Sequence, residues 1–108
     1  MKLSVSSALV AAMTVLKNGQ AIQCKDVVVS DLSTGDLFAA RAKAKDGEYW
    51  ALHELATKCE LIDSDGDRHQ MTYEMLHDTS SSNFKKLEDL DLELRLKLNA
   101  ASLESLSS

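Results

Sequence analysis

The segment Asp63 to Glu74 reads DSDGDRHQMTYE and carries the clearest ligand spacing in the chain. Asp63, Asp65 and Asp67 fall at its first, third and fifth positions, and Glu74 falls at its twelfth. Carboxylates at those offsets are the oxygen donors of a calcium loop set between two helices. Two positions speak against that chemistry. The sixth must bend sharply and is normally Gly, yet here it is Arg68; the eighth is normally aliphatic, yet here it is Gln70. No second loop is present to pair with it. Asp65-Gly66 is a turn dipeptide, which explains the acidity and the glycine without a metal. The turn reading is therefore preferred. Asp63, Asp65, Asp67 and Glu74 remain a weak metal set, a calcium-binding regulator remains a minor alternative, and no cofactor is expected.

Other reactive residue types lack the spacing that chemistry needs. His53, His69 and His77 form neither H-E-x-x-H nor H-x-x-E-H. No serine lies in G-x-S-x-G, and no glycine-rich phosphate loop exists among the four glycines. Cys24 and Cys59 are far apart and read as small buried hydrophobes of a reducing compartment rather than as a disulfide. The chain is expected not to be an enzyme. A net charge of −5 without a Lys/Arg cluster argues against nucleic acid and anionic membrane as partners. No run approaches the ~20 apolar residues that would span a bilayer.

The elements that carry these residues follow from turn and cap signals. Asn18-Gly19 is a strong hairpin turn, which sets strands at about 12–17 and 20–30, the second rich in β-branched residues. The opening MKLSVSSALVAAM has the outline of a secretory signal, but Ser4, Ser6 and Ser7 interrupt it, and a structural reading is preferred. Ser33 with Asp36 is a capping-box variant that starts a helix over about 34–45, ending at Asp46-Gly47. EYWALHELATKCELI repeats the helical spacing through Tyr49, Leu52, Ala56 and Cys59, with His53 off the stripe and solvated. Thr72 caps a short helix in TYEMLHD, and Ser82 or Asn83 caps the last one.

The last segment alternates L-D-L-E-L-R-L-K-L from Leu90 to Leu98, the period of a strand. Helix is nevertheless the better reading. The apolar residue is always Leu, a strong helix former, and Asp91/Arg95 and Glu93/Lys97 are acid-before-base pairs at i,i+4. On a helix, Leu87, Leu90, Leu94, Leu98 and Ala101 make one stripe, while Leu92, Leu96 and Leu103 fall opposite. A helix apolar on two faces wants two partners. Leu92, Leu96, Leu103 and Leu106 are therefore the candidate surface for a partner protein, and self-association is expected.

The fold expected is α+β, mostly α: an N-terminal β-hairpin followed by three to four helices, with a long C-terminal helix. All 108 residues form a single domain, with 1–12 flexible or a first strand. The hairpin covers 13–30, the helical body 34–78 and the last helix 82–105.

The order of these elements, with VVVSDLSTGDL over Val29–Leu37 and the later Leu87, Leu90 and Asp91, resembles the small tail-assembly chaperones of Mu-like and related contractile-tailed phages. Within the first stretch, Leu32, Gly35, Asp36 and Leu37 carry the likeness. It covers roughly residues 13–101. It departs at Ser33, where the family commonly has proline, and at Asp63–Asp67, which replaces a shorter helix–helix turn. The resemblance implies a non-catalytic protein of the host cytoplasm. Such a protein binds the helical tape measure protein while tail-tube subunits assemble around it, and then leaves. A small structural virion protein, of tail or head completion, is the alternative.

Overall fold

A computed structural model describes the backbone of residues 3–107 and the side chains of residues 3–100. Its elements are β1 (Ser4–Lys17), β2 (Gln20–Ser30), α1 (Thr34–Ala42), α2 (Trp50–Lys58), β3 (Cys59–Ile62), β4 (Arg68–Gln70), α3 (Tyr73–Asp78) and α4 (Ser81–Ser107). The four strands form one antiparallel sheet in the order β1-β2-β3-β4. This corrects the expectation of a mostly helical chain with a lone N-terminal hairpin. Half of the sheet was hidden in segments whose local pattern points elsewhere.

The clearest such segment is CELI. Its spacing continues the stripe of α2, yet the helix stops at Lys58 and Cys59 turns extended (φ −105, ψ 136). Tertiary pairing decides the outcome. Val27, Val28 and Val29 of β2 need a strand beside them, and Leu61, Glu60 and Cys59 supply it. Arg68–Gln70 then pairs back on β3 through a turn in which Gly66 takes φ 86.

β1 and β2 join through Asn18-Gly19, both with positive φ (52 and 78), as a type I′ turn requires. Their register shifts between Ala8 and Met13, where four residues of β1 stand against the single Lys25 of β2. The shift matches a phase slip in the sequence of β2. Ile22 and Cys24 point to the core on one side of Lys25, and Val27 and Val29 on the other. A bulge lets both halves of the hairpin bury their apolar residues on one face.

The bulge strands the peptide groups of Ala11, and Asn83 satisfies them. Its Oδ1 accepts from Ala11 N–H at 3.0 Å, its Nδ2 donates to Ala11 C=O at 2.9 Å, and Nδ2 also donates to Thr79 Oγ1 at 2.9 Å. Asn83 is 1% exposed. It is thus no helix cap, contrary to expectation. The cap oxygen is Ser80 Oγ, which accepts from Asn83 N–H at 3.2 Å. Ser33 and Thr72 cap α1 and α3 through Asp36 and Met75 N–H.

The core lies between the sheet and α4. Val5, Leu9, Met13 and Val15 of β1, Val27 and Val29 of β2 and Leu61 of β3 are buried in one cluster with Leu87, Leu90 and Leu94. Cys24 and Cys59 are free and buried, and burial pushes the Cys59 thiol up to about 12. Among the described residues no helix is long and apolar enough to cross a membrane.

Candidate protein-binding site

α4 spans 27 residues, about 40 Å of helix at 1.5 Å per residue. Its alternating leucines separate into two faces, because steps of two residues swing a side chain by roughly 200°. Leu90 and Leu94 point to the sheet and are buried, and Leu98 packs against the same cluster. Leu92 and Leu96 point away and are 53% and 60% exposed. The strand-like pattern is thus a two-faced helix with one face partnered. Leu103 and Leu106 lie outside the residues whose side chains are described.

Beside the exposed face runs an open groove of about 490 Å3 between α2 and α4. Ala51 and Leu55 of α2 and Phe84 and Leu92 of α4 supply its apolar lining. Charged pairs brace it. Lys58 Nζ lies 3.0 Å from Asp91 Oδ1 and ties the two helices together, while Arg95 reaches the other oxygen of Asp91 at 3.8 Å. Arg41 closes one end, 3.4 Å from Glu54 and stacked 4.6 Å over the ring of Trp50. Trp50 is 52% exposed; its chain neighbour Tyr49 is exposed too, as is Phe38, whose ring lies 5.6 Å from the same Arg41 guanidinium. Trp and Arg are residue types enriched at the energetic centres of protein interfaces, where Leu is not.

His53 is not solvated, contrary to the sequence reading. Its ring stacks on Tyr73 at 4.4 Å, and its Nε2 lies 2.9 Å from Glu48 Oε1. Glu48 is held below the usual carboxylate range by that bond and by the Lys45 N–H. Tyr73 OH accepts from Tyr49 N–H at 3.1 Å, so the cluster pins the start of α2 to α3.

The acidic segment is a tight turn between β3 and β4, organised by one buried carboxylate. Asp63 Oδ1 accepts from Asp65 N–H at 2.9 Å and Asp67 N–H at 3.0 Å. The structure does gather Asp63, Asp65 and Asp67, and the group at their centre is Lys17, whose ammonium lies 2.9, 3.0 and 2.8 Å from the three. His69 Nε2 lies 2.8 Å from Asp63 Oδ2. Those bonds hold the Asp63 carboxyl well below its usual range, His69 contributing most and Lys17 next. The carboxylates in turn hold Lys17 well above the usual lysine range, Asp67 foremost. Glu74 is on α3, lining a groove with His53 and Gln70 instead of joining the turn. Among the described residues, no three or more His, Cys, Asp and Glu stand where they could hold a metal ion.

Sequence reasoning missed three interactions that organise these features. Lys17 precedes the hairpin turn and is 46 residues from Asp63, so no local spacing links them. Asn83 is 72 residues from Ala11. The Arg41–Trp50 stack spans the α1–α2 connection and has no sequence signature. Comparison with known protein families, with functionally characterised proteins and with solved structures finds no match to this chain.

Proposed function

We propose that this protein is a non-catalytic assembly chaperone or adaptor that holds an amphipathic helix of a client on α4 and the adjoining α2–α4 groove. The observation that carries the proposal is the exposure of Leu92 and Leu96 on a helix whose opposite face is buried. Leaving two leucines in water costs an isolated monomer solubility, and a docked helix with apolar residues at i, i+3 and i+4 would cover them. Trp50 and Arg41 would grip one end of that helix. The resemblance to tail-assembly chaperones names the client as a tape measure protein met in the host cytoplasm. The test is co-purification with tape measure segments, for the parent and for a Leu92→Glu, Leu96→Glu variant. Loss of capture by a variant that keeps its thermal midpoint supports the proposal. Capture undiminished by the variant contradicts it.

The outer edge of β1, unpaired among the described residues, favours a second reading, a small structural protein of the finished particle that adds its strand to a neighbour's sheet. Mass spectrometry of finished particles separates the two. A chaperone is missing from them, and a structural component is present in fixed proportion.

A further inference from the structure

β1 stands at the end of the sheet, so one of its edges has no strand beside it among the described residues. The bond from Asp31 N–H to Leu3 C=O, 3.0 Å, fixes the phase of that edge. Antiparallel pairs alternate between those that exchange hydrogen bonds and those that do not. Residues 3, 5 and 7 therefore turn their peptide groups to β2, and Ser4, Ser6 and Ala8 turn theirs outward. Lys97 Nζ donates to Ser4 C=O at 3.0 Å from outside the sheet, which agrees with that phase. Ser6 and Ala8 are exposed. Ser4 to Leu16 contains neither a charged residue nor a proline, the usual guards of an edge. The opposite edge is different, a three-residue β4 that begins with an exposed Arg68. Past Ala8 the register shift and the Asn83 amide on Ala11 end the usable stretch.

We propose that the edge Ser4–Ala8 pairs antiparallel with the same edge of a second copy, about a two-fold axis at Ser6. Two four-stranded sheets then become one of eight strands. Ser6 exchanges both of its outward bonds with Ser6 of the second copy, and Ser4 does so with Ala8. Ser4 C=O keeps a lone pair for Lys97. A second copy suits this edge better than an unlike strand. The outward groups are self-complementary under a two-fold axis, and Ser, Ser and Ala are small and uncharged, so the strands can close without a clash. This surface is separate from the one proposed for the client helix.

Sedimentation equilibrium of the full chain over a wide concentration range tests the proposal, with two variants. Ser6→Pro removes an outward N–H while sparing the bonds to β2, a place where an edge strand tolerates proline. Ser6→Lys keeps the backbone and sets like charges together on the axis. The parent is expected to dimerise, and each variant that retains its circular dichroism is expected to weaken the dimer by roughly tenfold or more. Should Ser6→Pro fail to fold, Ser6→Lys decides alone. A parent that stays monomeric throughout, or a folded Ser6→Lys variant that dimerises like the parent, overturns it. Leu92→Glu is expected to leave the dimer unchanged; its loss there would place the interface on α4 instead and equally overturn the proposal.

Discussion

Asn83 is the residue whose removal tests the packing account most sharply. One side chain serves three partners, at 3.0, 2.9 and 2.9 Å, two of them the peptide groups of a bulged strand. Asn83→Ala leaves the Ala11 N–H and C=O without protein partners. An orphaned buried group costs about 1–3 kcal/mol. Ala11 itself is exposed, so water can reach its peptide once the amide is gone, which puts each loss at the low end. The sum is a destabilisation of about 2–3 kcal/mol, or a fall in Tm of roughly 8–12 °C for a chain of this size. Asn83→Asp should be worse at neutral pH, because a carboxylate cannot donate to Ala11 C=O and is buried beside it. Part of that extra loss should return on acidification, when the acid regains a proton to donate. Urea denaturation gives the free energies, and amide exchange at Ala11 should speed up in both variants. If Asn83→Ala changed stability by less than about 0.5 kcal/mol, the level of an ordinary surface substitution, the clamp would not stabilise the bulge, and the reasoning fails.

The two faces of α4 should respond oppositely to truncation. Leu94→Ala should cost about 2–4 kcal/mol by opening a cavity, whereas Leu92→Ala should stay within about 0.5 kcal/mol; thermal denaturation distinguishes them. Stability should also fall in acid through Asp63. Its carboxyl is depressed in the folded state, so its contribution is full above the unfolded value of about 4 and is lost as pH falls toward the folded value. Asp63→Asn should flatten that acid limb in urea midpoints measured against pH. Lys17 is shifted the other way, so its contribution persists below the unfolded lysine value and fades only at strongly alkaline pH. Removing it by Lys17→Met leaves three carboxylates face to face. The Tm of that variant should rise in millimolar calcium more than the parent's, and equal responses would mean Lys17 is not what fills the cluster.

Local signals were legible where one residue type answers one backbone need. Asn18-Gly19 supplies two positive φ angles, Ser33 and Thr72 supply cap oxygens, and leucine at every other position with i,i+4 charge pairs marks α4. The partition of those leucines into buried and exposed faces also follows from helical geometry alone. What was not legible depends on distant partners. CELI has helical spacing and becomes β3 because three valines of β2 need a neighbour. Ser4–Ala11 has little strand propensity and joins the sheet because β2 is long enough to hold it. Asp63–Asp67 looked like a cation loop because it does surround a cation, but the cation is the ammonium of Lys17. No spacing rule could have supplied that residue.

Trp50 offers the most direct test of the proposed client surface, since it is the chain's single tryptophan and lines the α2–α4 groove. Its emission should be followed while helical segments of a tape measure protein are titrated into the parent and into Leu92→Glu, Leu96→Glu. The account predicts a saturable blue shift in the parent, as a docked helix excludes water from the indole, and its loss in the variant. Unchanged emission with every segment, or the same saturation curve in both proteins, would contradict the assignment of α4 and its groove as a helix-binding surface.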